Sequence, residues 1–286
     1  MPDKIVISAS RRTDIPAFFM DWFMNRIDSK FFEVENPYNG KISLVPSSPD
    51  KVHTIVFWSK NFNVFLENDY GKKLKEMGYN LFFNFTINSE SKILEPNVPP
   101  LDERIEQLYN LSELFGAKVI NLRFDPLCFY QHEGISYDNL KDFEKIVLNS
   151  GKLGIKRLIT SFMNDYKKIQ KRVGKLKDFC FLFPSIEEKI KILMQMASIT
   201  AKSNINLYTC CEKEIMDCLP KEAGINKSSC IPNNFLMELF GGNISVAKDK
   251  GQRTKQGCDC MVSNDIGSYR KHPCNHKCLF CYANPM

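Results

Sequence analysis

Short apolar runs, rich in β-branched and aromatic residues, recur along the chain between polar and turn-forming segments. They begin at Ile5, Thr54, Leu81, Val119, Arg157 and Ile205. Because nearly every position in these runs is apolar, the pattern predicts strands covered on both faces, as in a parallel sheet.

Between these runs, apolar residues recur with helical spacing. In segment 101–116 they repeat every three to four positions before Gly116, which predicts a helix ending at that glycine. Ser185 and Glu188 have capping-box spacing and predict the start of another helix. Residues 31–46 carry an Asn-Gly pair between strand-like flanks, which predicts an inserted hairpin.

This alternation of strands and helices predicts an α/β fold with parallel strands and right-handed crossovers. An open sheet and a partial or full (β/α) TIM-like barrel both satisfy the pattern, and we favour the barrel. The barrel core is expected at residues 1–209, with the hairpin inserted near 31–46. A cysteine-rich tail is expected at residues 210–286.

Composition narrows the class of protein only moderately. The chain has 286 residues, of which 43% are hydrophobic and 25% charged, as in ordinary globular proteins. No apolar run reaches the roughly 18 to 20 residues that span a bilayer, and the start lacks a signal-peptide pattern, so we expect a cytoplasmic protein without a membrane partner. The net charge of +6 suits an anionic substrate or nucleic acid, but also a generic basic surface.

Cysteine is the most informative residue type. The chain has eleven cysteines, mostly in its last third, and a reducing compartment favours metal or redox chemistry over disulfides. Cys274, Cys278 and Cys281 have C-x3-C-x2-C spacing, which suits an iron–sulfur cluster that keeps one iron open. Zinc is the alternative, with His272 or His276 as a fourth ligand.

A second site is predicted from the cysteines outside this triplet. Four thiolates with no open position suit an auxiliary iron–sulfur cluster or a structural zinc ion. The predicted ligands are Cys211, Cys230, Cys258 and Cys260, with Cys210 and Cys218 as local competitors, whereas Cys128 and Cys180 are isolated.

Polar residues follow the predicted strands, where a barrel would have its functional face. Arg123 and Asp125 carry the most weight, because an unpaired charge in an apolar strand is costly. Mutual pairing is the structural alternative for these two side chains.

The triplet, with Phe280 before its last cysteine and Tyr282 after it, resembles the signature of the radical S-adenosylmethionine superfamily. "CLFCYAN" is similar to the version in spore photoproduct lyase-type proteins. The whole chain, from "SASRRTDIPAFF" through "RFDP" to "DIGSY" and "CYAN", resembles the DUF1848 family, which carries this motif near the C-terminus. The resemblance implies a [4Fe–4S] cluster on the triplet, S-adenosylmethionine on the open iron, and a (β/α) barrel.

The implied activity is reductive cleavage of S-adenosylmethionine to a 5′-deoxyadenosyl radical that abstracts a substrate hydrogen. A reductant such as flavodoxin or ferredoxin is the implied partner. Since the motif follows the last predicted strand instead of the first, we expect the tail to fold back over the barrel mouth, with a circularly permuted barrel as the alternative. The candidate cofactor contacts are Arg11, Arg12, Asn84, Thr86, Arg123, Phe280, Tyr282 and Asn284.

Two other classes of function compete with this interpretation. One is a non-catalytic iron–sulfur protein for electron transfer or redox sensing, with the barrel as a scaffold. The other is a zinc hydrolase, which four histidines and no H-x-H pair disfavour. The sequence does not identify a substrate, and nucleic acid is suggested only by analogy with the photoproduct lyases.

Overall fold

A computed structural model describes residues 4–37 and 39–283. Strands and helices alternate through most of this length. The strands are β1 (Ile5–Ala9), β2 (Phe31–Glu35), β3 (Ile42–Pro46), β4 (Val52–Ser59), β5 (Asn80–Thr86), β6 (Ile120–Leu127), β7 (Phe129–His132), β8 (Ile135–Asp138), β9 (Arg157–Phe162), β10 (Phe179–Leu182), β11 (Asn206–Thr209), β12 (Ile225–Lys227) and β13 (Asn264–Asp265).

Helices connect most of the strands, and a capping box on Ser185 and Glu188 begins α8 as predicted. The α-helices are α1 (Ile15–Phe18), α2 (Met20–Asp28), α3 (Asn63–Glu67), α4 (Tyr70–Glu76), α5 (Leu101–Phe115), α6 (Phe143–Lys152), α7 (Lys167–Val173), α8 (Ile186–Lys202), α9 (Lys213–Cys218) and α10 (Asn233–Phe240). Short 3-10 helices span Ala117–Val119, Lys221–Ala223 and Thr254–Gln256. No helix in the described ranges is long and apolar enough to cross a bilayer.

Eight strands form one parallel sheet in the order β12-β11-β9-β6-β5-β4-β1-β13. The six apolar runs of the sequence are β1, β4, β5, β6, β9 and β11, which are consecutive neighbours in this sheet. The predicted α/β fold with a parallel sheet is therefore confirmed.

The sheet is open, because no pairing joins β12 to β13 within residues 4–37 and 39–283. These two edge strands have only three and two residues, too few for a continuous ladder between them. Near this gap, the Met261 N–H donates a hydrogen bond to the Ile231 carbonyl oxygen at 3.1 Å. The described residues therefore do not form a closed barrel, which was the fuller of the two barrel forms predicted from the sequence.

Different parts of the chain cover the two faces of the sheet. On one face, Phe57 of β4 packs against Phe65 of α3, with 5.0 Å between ring centres. On the other face, Phe82 of β5 packs with Ile231 and with Leu236 of α10. Burying an aromatic or branched side chain contributes about 1.5–3 kcal/mol, so the C-terminal region stabilises the same sheet as the preceding helices.

Two smaller sheets flank the main one. β2 and β3 pair antiparallel where the sequence predicts a hairpin. β10, β7 and β8 form a three-stranded antiparallel sheet, which the sequence analysis did not predict. Glu133 and Gly134 join β7 to β8 with φ angles of 50° and 77°, as a tight hairpin turn requires.

Candidate metal and cofactor site

A cavity of about 260 Å³ lies where the parallel strands end, and both predicted cysteine sets reach it. Residues after β1, β4, β9 and β11, and residues in the carboxyl-terminal half of β6, contribute to its wall. The carboxyl edge of a parallel sheet is the usual place for a ligand, because the strand ends and their loops converge there. The cavity is therefore the candidate functional site.

The triplet loop, residues 274–281, forms one side of this cavity. Cys278 is buried, whereas Cys274 and Cys281 are partly exposed. The loop follows β13, which pairs in parallel with β1 at the edge of the sheet. The motif thus follows the strand beside β1, and its loop reaches the cavity from the same edge of the sheet as the loop after β1.

The triplet is wide. Its three sulfur atoms do not all lie within 4.8 Å of one another. Around one tetrahedral zinc ion, sulfurs bound at about 2.3 Å lie roughly 3.8 Å apart. As arranged, the three thiols therefore do not match a single ion, and it is their C-x3-C-x2-C spacing that suits an iron–sulfur cluster.

Burial keeps the thiols of Cys274 and Cys278 neutral without a metal. It raises the pKa of Cys278, and it raises the pKa of Cys274 to about 12, with a further contribution from the Asp14 carboxylate. Metal ligands are thiolates, so the positive charge of a metal centre must compensate for burial. The site is thus suited to thiols that ionise only when metal binds.

Asp14 fixes the triplet loop to the strand ends. Its carboxylate accepts hydrogen bonds from the Ala17 N–H (3.0 Å), the Ser59 hydroxyl (2.7 Å) and the Lys60 N–H (2.9 Å). His276 of the triplet loop lies with its Nε2 2.8 Å from the same carboxylate. One buried side chain therefore links the loop after β1, the end of β4 and the triplet loop.

The histidines of this region are engaged elsewhere. The Nδ1 atom of His276 lies 3.3 Å from the Asn97 carbonyl oxygen, so both ring nitrogens have protein partners. His272 accepts a hydrogen bond from the Ser268 N–H on Nδ1, and its ring packs against Trp22. These contacts weaken the zinc alternative for the triplet.

We predict that Asp14→Ala lowers the free energy of unfolding by about 3 kcal/mol or more, because it leaves several buried donors without an acceptor. Asp102→Ala is the matched control, since Asp102 pairs with Lys145 in solvent and its loss should cost about 1 kcal/mol or less. Urea unfolding followed by circular dichroism measures both variants. Equal losses would contradict the anchoring role of Asp14.

A buried ion pair lies behind Cys278. The Nζ atom of Lys60 is 2.5 Å from Glu95 Oε1, and the sulfur of Cys278 is 3.8 Å from the same oxygen. Burial alone would lower the pKa of Lys60, but the Glu95 carboxylate outweighs this and the pKa is raised. Lys60 therefore stays charged, with its Nζ 5.3 Å from the centre of the Phe280 ring.

Five buried cysteines form the second cysteine set: Cys210, Cys211, Cys230, Cys258 and Cys260. The sulfur of Cys210 lies 3.5 Å from that of Cys211 and 3.9 Å from that of Cys230. The sulfurs of Cys210, Cys211 and Cys258 all lie within 4.8 Å of one another. The four predicted ligands come together, and Cys210 joins them, whereas Cys218 is exposed.

Arg123 contacts this set directly. Its Nη1 atom lies 2.5 Å from the Cys230 sulfur, and its Nη2 atom pairs with the Asp125 carboxylate. Asp125 also accepts a hydrogen bond from the Ser161 hydroxyl. The pairing of Arg123 with Asp125, considered from the sequence as a structural alternative, is thus present together with a cysteine contact.

Two further arginines face other members of the set. Burial acts to lower the pKa of Arg11 and of Arg253, but nearby negative groups offset it and both values are raised. For Arg11 these are the Cys260 sulfur and the carboxylates of Asp265 and Asp249, and for Arg253 the first is the Cys211 sulfur. Together with Arg123, three guanidinium groups surround the five sulfurs. This positive surrounding stabilises thiolates and hence a negatively charged metal centre.

Most of the candidate cofactor contacts line the cavity, namely Arg11, Arg12, Thr86, Arg123, Phe280 and Tyr282. Asn84 does not, because it lies two residues before Thr86 on the same face of β5 and therefore one layer deeper. Its amide donates to the Cys230 carbonyl oxygen at 2.9 Å, so it supports the second cysteine set instead. Asn284 lies outside the described residues.

Sequence reasoning missed Asp265 and Glu95. Asp265 of β13 accepts hydrogen bonds from the Ser8 and Ser10 hydroxyls at 2.9 and 2.6 Å and from the Arg11 N–H at 2.7 Å. It therefore shapes the loop after β1. The acidic Asp265 in the "DIGSY" segment could have been singled out from the sequence. Glu95 could not, because it lies in a long loop with no distinguishing pattern.

The model for DUF1848, a domain of unknown function, matches residues 6–283. The chain belongs to the DUF1848 family. No curated protein matches it. In this DUF1848 chain the matched region extends from β1 through the triplet, so it contains the parallel sheet, the cavity and both cysteine sets.

Proposed function

We propose that this DUF1848 protein is a radical S-adenosylmethionine enzyme whose [4Fe–4S] cluster is held by Cys274, Cys278 and Cys281. The observation that carries the proposal is that this thiol triplet and four arginines, Arg11, Arg12, Arg123 and Arg253, face one cavity at the carboxyl edge of a parallel sheet. When bound, the cluster supplies one electron that cleaves S-adenosylmethionine to a 5′-deoxyadenosyl radical, which abstracts a substrate hydrogen.

The chain's contribution to this chemistry is rigid positioning of the triplet loop. Asp14 holds the loop from the side of β1 and β4. Arg172 of α7 holds it from the other side, where Nη1 donates to the carbonyl oxygens of Leu279 (2.7 Å) and Cys281 (3.1 Å). Side chains locked in this way keep reacting groups in one geometry, which accounts for a large part of catalysis.

Arg11 is the strongest candidate to bind the carboxylate of S-adenosylmethionine. Its Nη1 atom donates to the Ser263 hydroxyl at 3.2 Å, while its buried Nη2 atom has no hydrogen-bond partner within the described part of the chain. The Nη1 atom of Arg11 also lies 3.7 Å from the Asp249 carboxylate, and Nη1 of Arg12 donates to the Gly267 carbonyl oxygen at 3.0 Å, so the unpartnered Nη2 atom is what distinguishes Arg11. A bound carboxylate would satisfy the buried donor of Arg11.

Trp58 keeps the arginines of the cavity in place. The guanidinium carbons of Arg11 and Arg123 lie 5.5 and 5.2 Å from the centre of its ring. Its indole N–H donates to the Ser8 hydroxyl at 3.1 Å. The ring therefore shields two charges from water while its own polar group is satisfied, which strengthens electrostatic interactions inside the cavity.

The second cysteine set, in this proposal, holds a further metal centre. The sequence predicted an auxiliary [4Fe–4S] cluster with structural zinc as the alternative. Cys210, Cys211 and Cys258 are close enough together for one tetrahedral ion, whereas the five buried thiols together exceed the four that such an ion binds and suit a larger centre as well. In both forms, the surrounding arginines compensate the negative charge of the thiolates.

Anaerobic reconstitution tests the proposed activity. The protein is loaded with iron and sulfide, reduced with dithionite and supplied with S-adenosylmethionine, and 5′-deoxyadenosine is measured by chromatography. Formation of 5′-deoxyadenosine is the expected result. A cluster that is reduced without any cleavage would favour the alternative, an electron-transfer or redox-sensing protein.

We predict that Arg11→Met weakens S-adenosylmethionine binding about tenfold or more, since a charge-assisted hydrogen bond contributes about 1.5–3 kcal/mol. Arg11→Lys should give an intermediate loss, because it keeps the charge but not the paired donors. The control is Arg270→Met, which removes an exposed arginine paired with Glu35. Equilibrium dialysis gives the Kd values, and equal binding by the Arg11 and Arg270 variants would exclude Arg11 as the carboxylate ligand.

A further inference from the structure

Helix α7 has one face on the triplet loop. Ile169 and Val173 of this helix are buried in the same apolar group as Cys278, Leu279 and Phe280. Arg172 adds the hydrogen bonds to loop carbonyls already described. The position of α7 is therefore tied to that of the triplet.

The opposite side of α7 and the turn after it form a basic patch. Segment 167–177 contains six basic residues and no acidic residue. Its five lysines are exposed: Lys167, Lys168, Lys171, Lys175 and Lys177. In residues 4–37 and 39–283, no ion pair involves Lys167, Lys171 or Lys177. The charges of these three lysines are thus not offset by an ion pair within the described part of the chain.

The basic patch borders the place where the triplet loop meets solvent. The Nζ atom of Lys168 lies 5.8 Å from the centre of the Tyr282 ring. Tyr282 directly follows Cys281, and its side chain is 41% exposed. A protein that docks on the patch would therefore approach within a short distance of a cluster ligand.

We infer that the basic patch is the docking site of an acidic, flavodoxin-like electron-transfer protein that reduces the centre held by the triplet. This inference rests on the proposed function. One electron leaves the donor, which is oxidised by one electron, and the centre at the triplet gains it. Electron-transfer proteins bind each other through small interfaces, and complementary charge sets the rate at which they associate. The patch is small and positively charged, so it suits an acidic partner.

Nucleic acid fits the patch less well. Sequence-independent binding of single strands combines positive charge with successive stacking rings. Among the described residues, Tyr282 is the one aromatic ring that a patch lysine contacts. The seven residues of α7 extend over only about 10 Å, which spans few phosphates.

Charge reversal of the patch tests the inference. The test variant is Lys167→Glu/Lys171→Glu/Lys177→Glu, and the control is Lys118→Glu/Lys152→Glu/Lys156→Glu, which makes the same charge change near the amino ends of the strands. Each protein is reconstituted anaerobically, and its iron content and unfolding midpoint are compared with the wild type. Stopped-flow absorbance then measures cluster reduction by an acidic flavodoxin in its fully reduced form, and by photoreduced deazariboflavin, a small uncharged reductant.

At low ionic strength we expect the patch variant to lose at least about tenfold in the rate of reduction by flavodoxin, with reduction by deazariboflavin unchanged. The control variant should stay within about twofold of the wild type. Added salt should slow the reduction of the wild type by flavodoxin and make the difference in rate between the wild type and the patch variant smaller. If the triple variant fails to load iron, Lys171→Glu and Lys171→Gln replace it, and only the charge-reversed form should be markedly slower.

The inference would be overturned if flavodoxin reduced the patch variant and the wild type at equal rates. It would also be overturned if the patch variant lost as much rate with deazariboflavin as with flavodoxin. Loss of binding to a single-stranded 20-mer DNA with an unchanged flavodoxin rate would assign the patch to nucleic acid instead. Failure of the reduced wild type to cleave S-adenosylmethionine would overturn the proposed function but not the docking site, because the rate measured is that of cluster reduction.

Discussion

Replacing Cys278 by alanine should abolish S-adenosylmethionine cleavage and remove about four irons per chain. Cys278 is the buried member of the triplet, and its sulfur lies close to the Lys60–Glu95 pair. A cluster that keeps one iron open has no spare protein ligand, so the loss of one thiolate releases it. Iron analysis, electron paramagnetic resonance of the reduced protein and 5′-deoxyadenosine formation are the measurements.

The matched control for this variant is Cys180→Ala. Cys180 lies on β10, is exposed and belongs to neither cysteine set. This variant should keep the iron content and the cleavage activity of the wild type. Full cleavage by the Cys278 variant would remove the triplet from the proposed mechanism, whatever the iron content.

The long parallel strands could be predicted from the sequence because burial on both faces makes them continuously apolar. The strands that were missed are short. β7 and β8 have four residues each, and β13 has two. Such segments form because neighbouring elements supply pairing partners, so their own residues carry little signal. This is also why the sequence could not show that the sheet stays open between β12 and β13.

The sequence predicted site residues whose side-chain chemistry is specific, such as the cysteines. It missed residues that join the site only because folding brings distant parts of the chain together. The sequence named Cys211 as a ligand of the second set and Cys210 only as a competitor, because only folding brings Cys210 within 3.9 Å of Cys230. Asn84 was predicted to contact the cofactor but lies one layer below the cavity. Its depth depends on where β5 ends, which the sequence does not show. Asp265 lies 255 positions from Ser10, and no local pattern encodes their contact.

The position of the motif near the C-terminus has a topological explanation. β13 pairs with β1 in parallel, Ile7 with Asn264 and Ser8 with Asp265, and the triplet loop leaves its carboxyl end. The loop therefore begins at the same edge of the sheet as the "SASRRTDIP" segment that follows β1. A strand at the edge of a parallel sheet can come from either end of the chain, provided that its direction is kept. The C-terminal triplet thus reaches the cavity without crossing the sheet.

The second cysteine set should keep its metal when the triplet is removed. In a Cys274→Ala/Cys278→Ala/Cys281→Ala protein, we expect metal to remain at the second set, because its sulfurs belong to a separate buried group. About one zinc ion per chain would assign the set to a structural ion, which the close group of Cys210, Cys211 and Cys258 allows. About four irons in this triple variant would instead establish the auxiliary cluster predicted from the sequence.

Cys258→Ala provides the complementary test, since the Cys258 sulfur lies within 4.8 Å of those of both Cys210 and Cys211. We expect this variant to lose the second metal and to unfold at a lower temperature, because a structural metal site contributes directly to folding. Cys128→Ala is the matched control, as Cys128 is equally buried but belongs to neither cysteine set, so its metal content should not change. If the triplet variant binds no metal at all, or if Cys258→Ala retains both centres, the five buried thiols do not form a metal site and their arginine surroundings need another explanation.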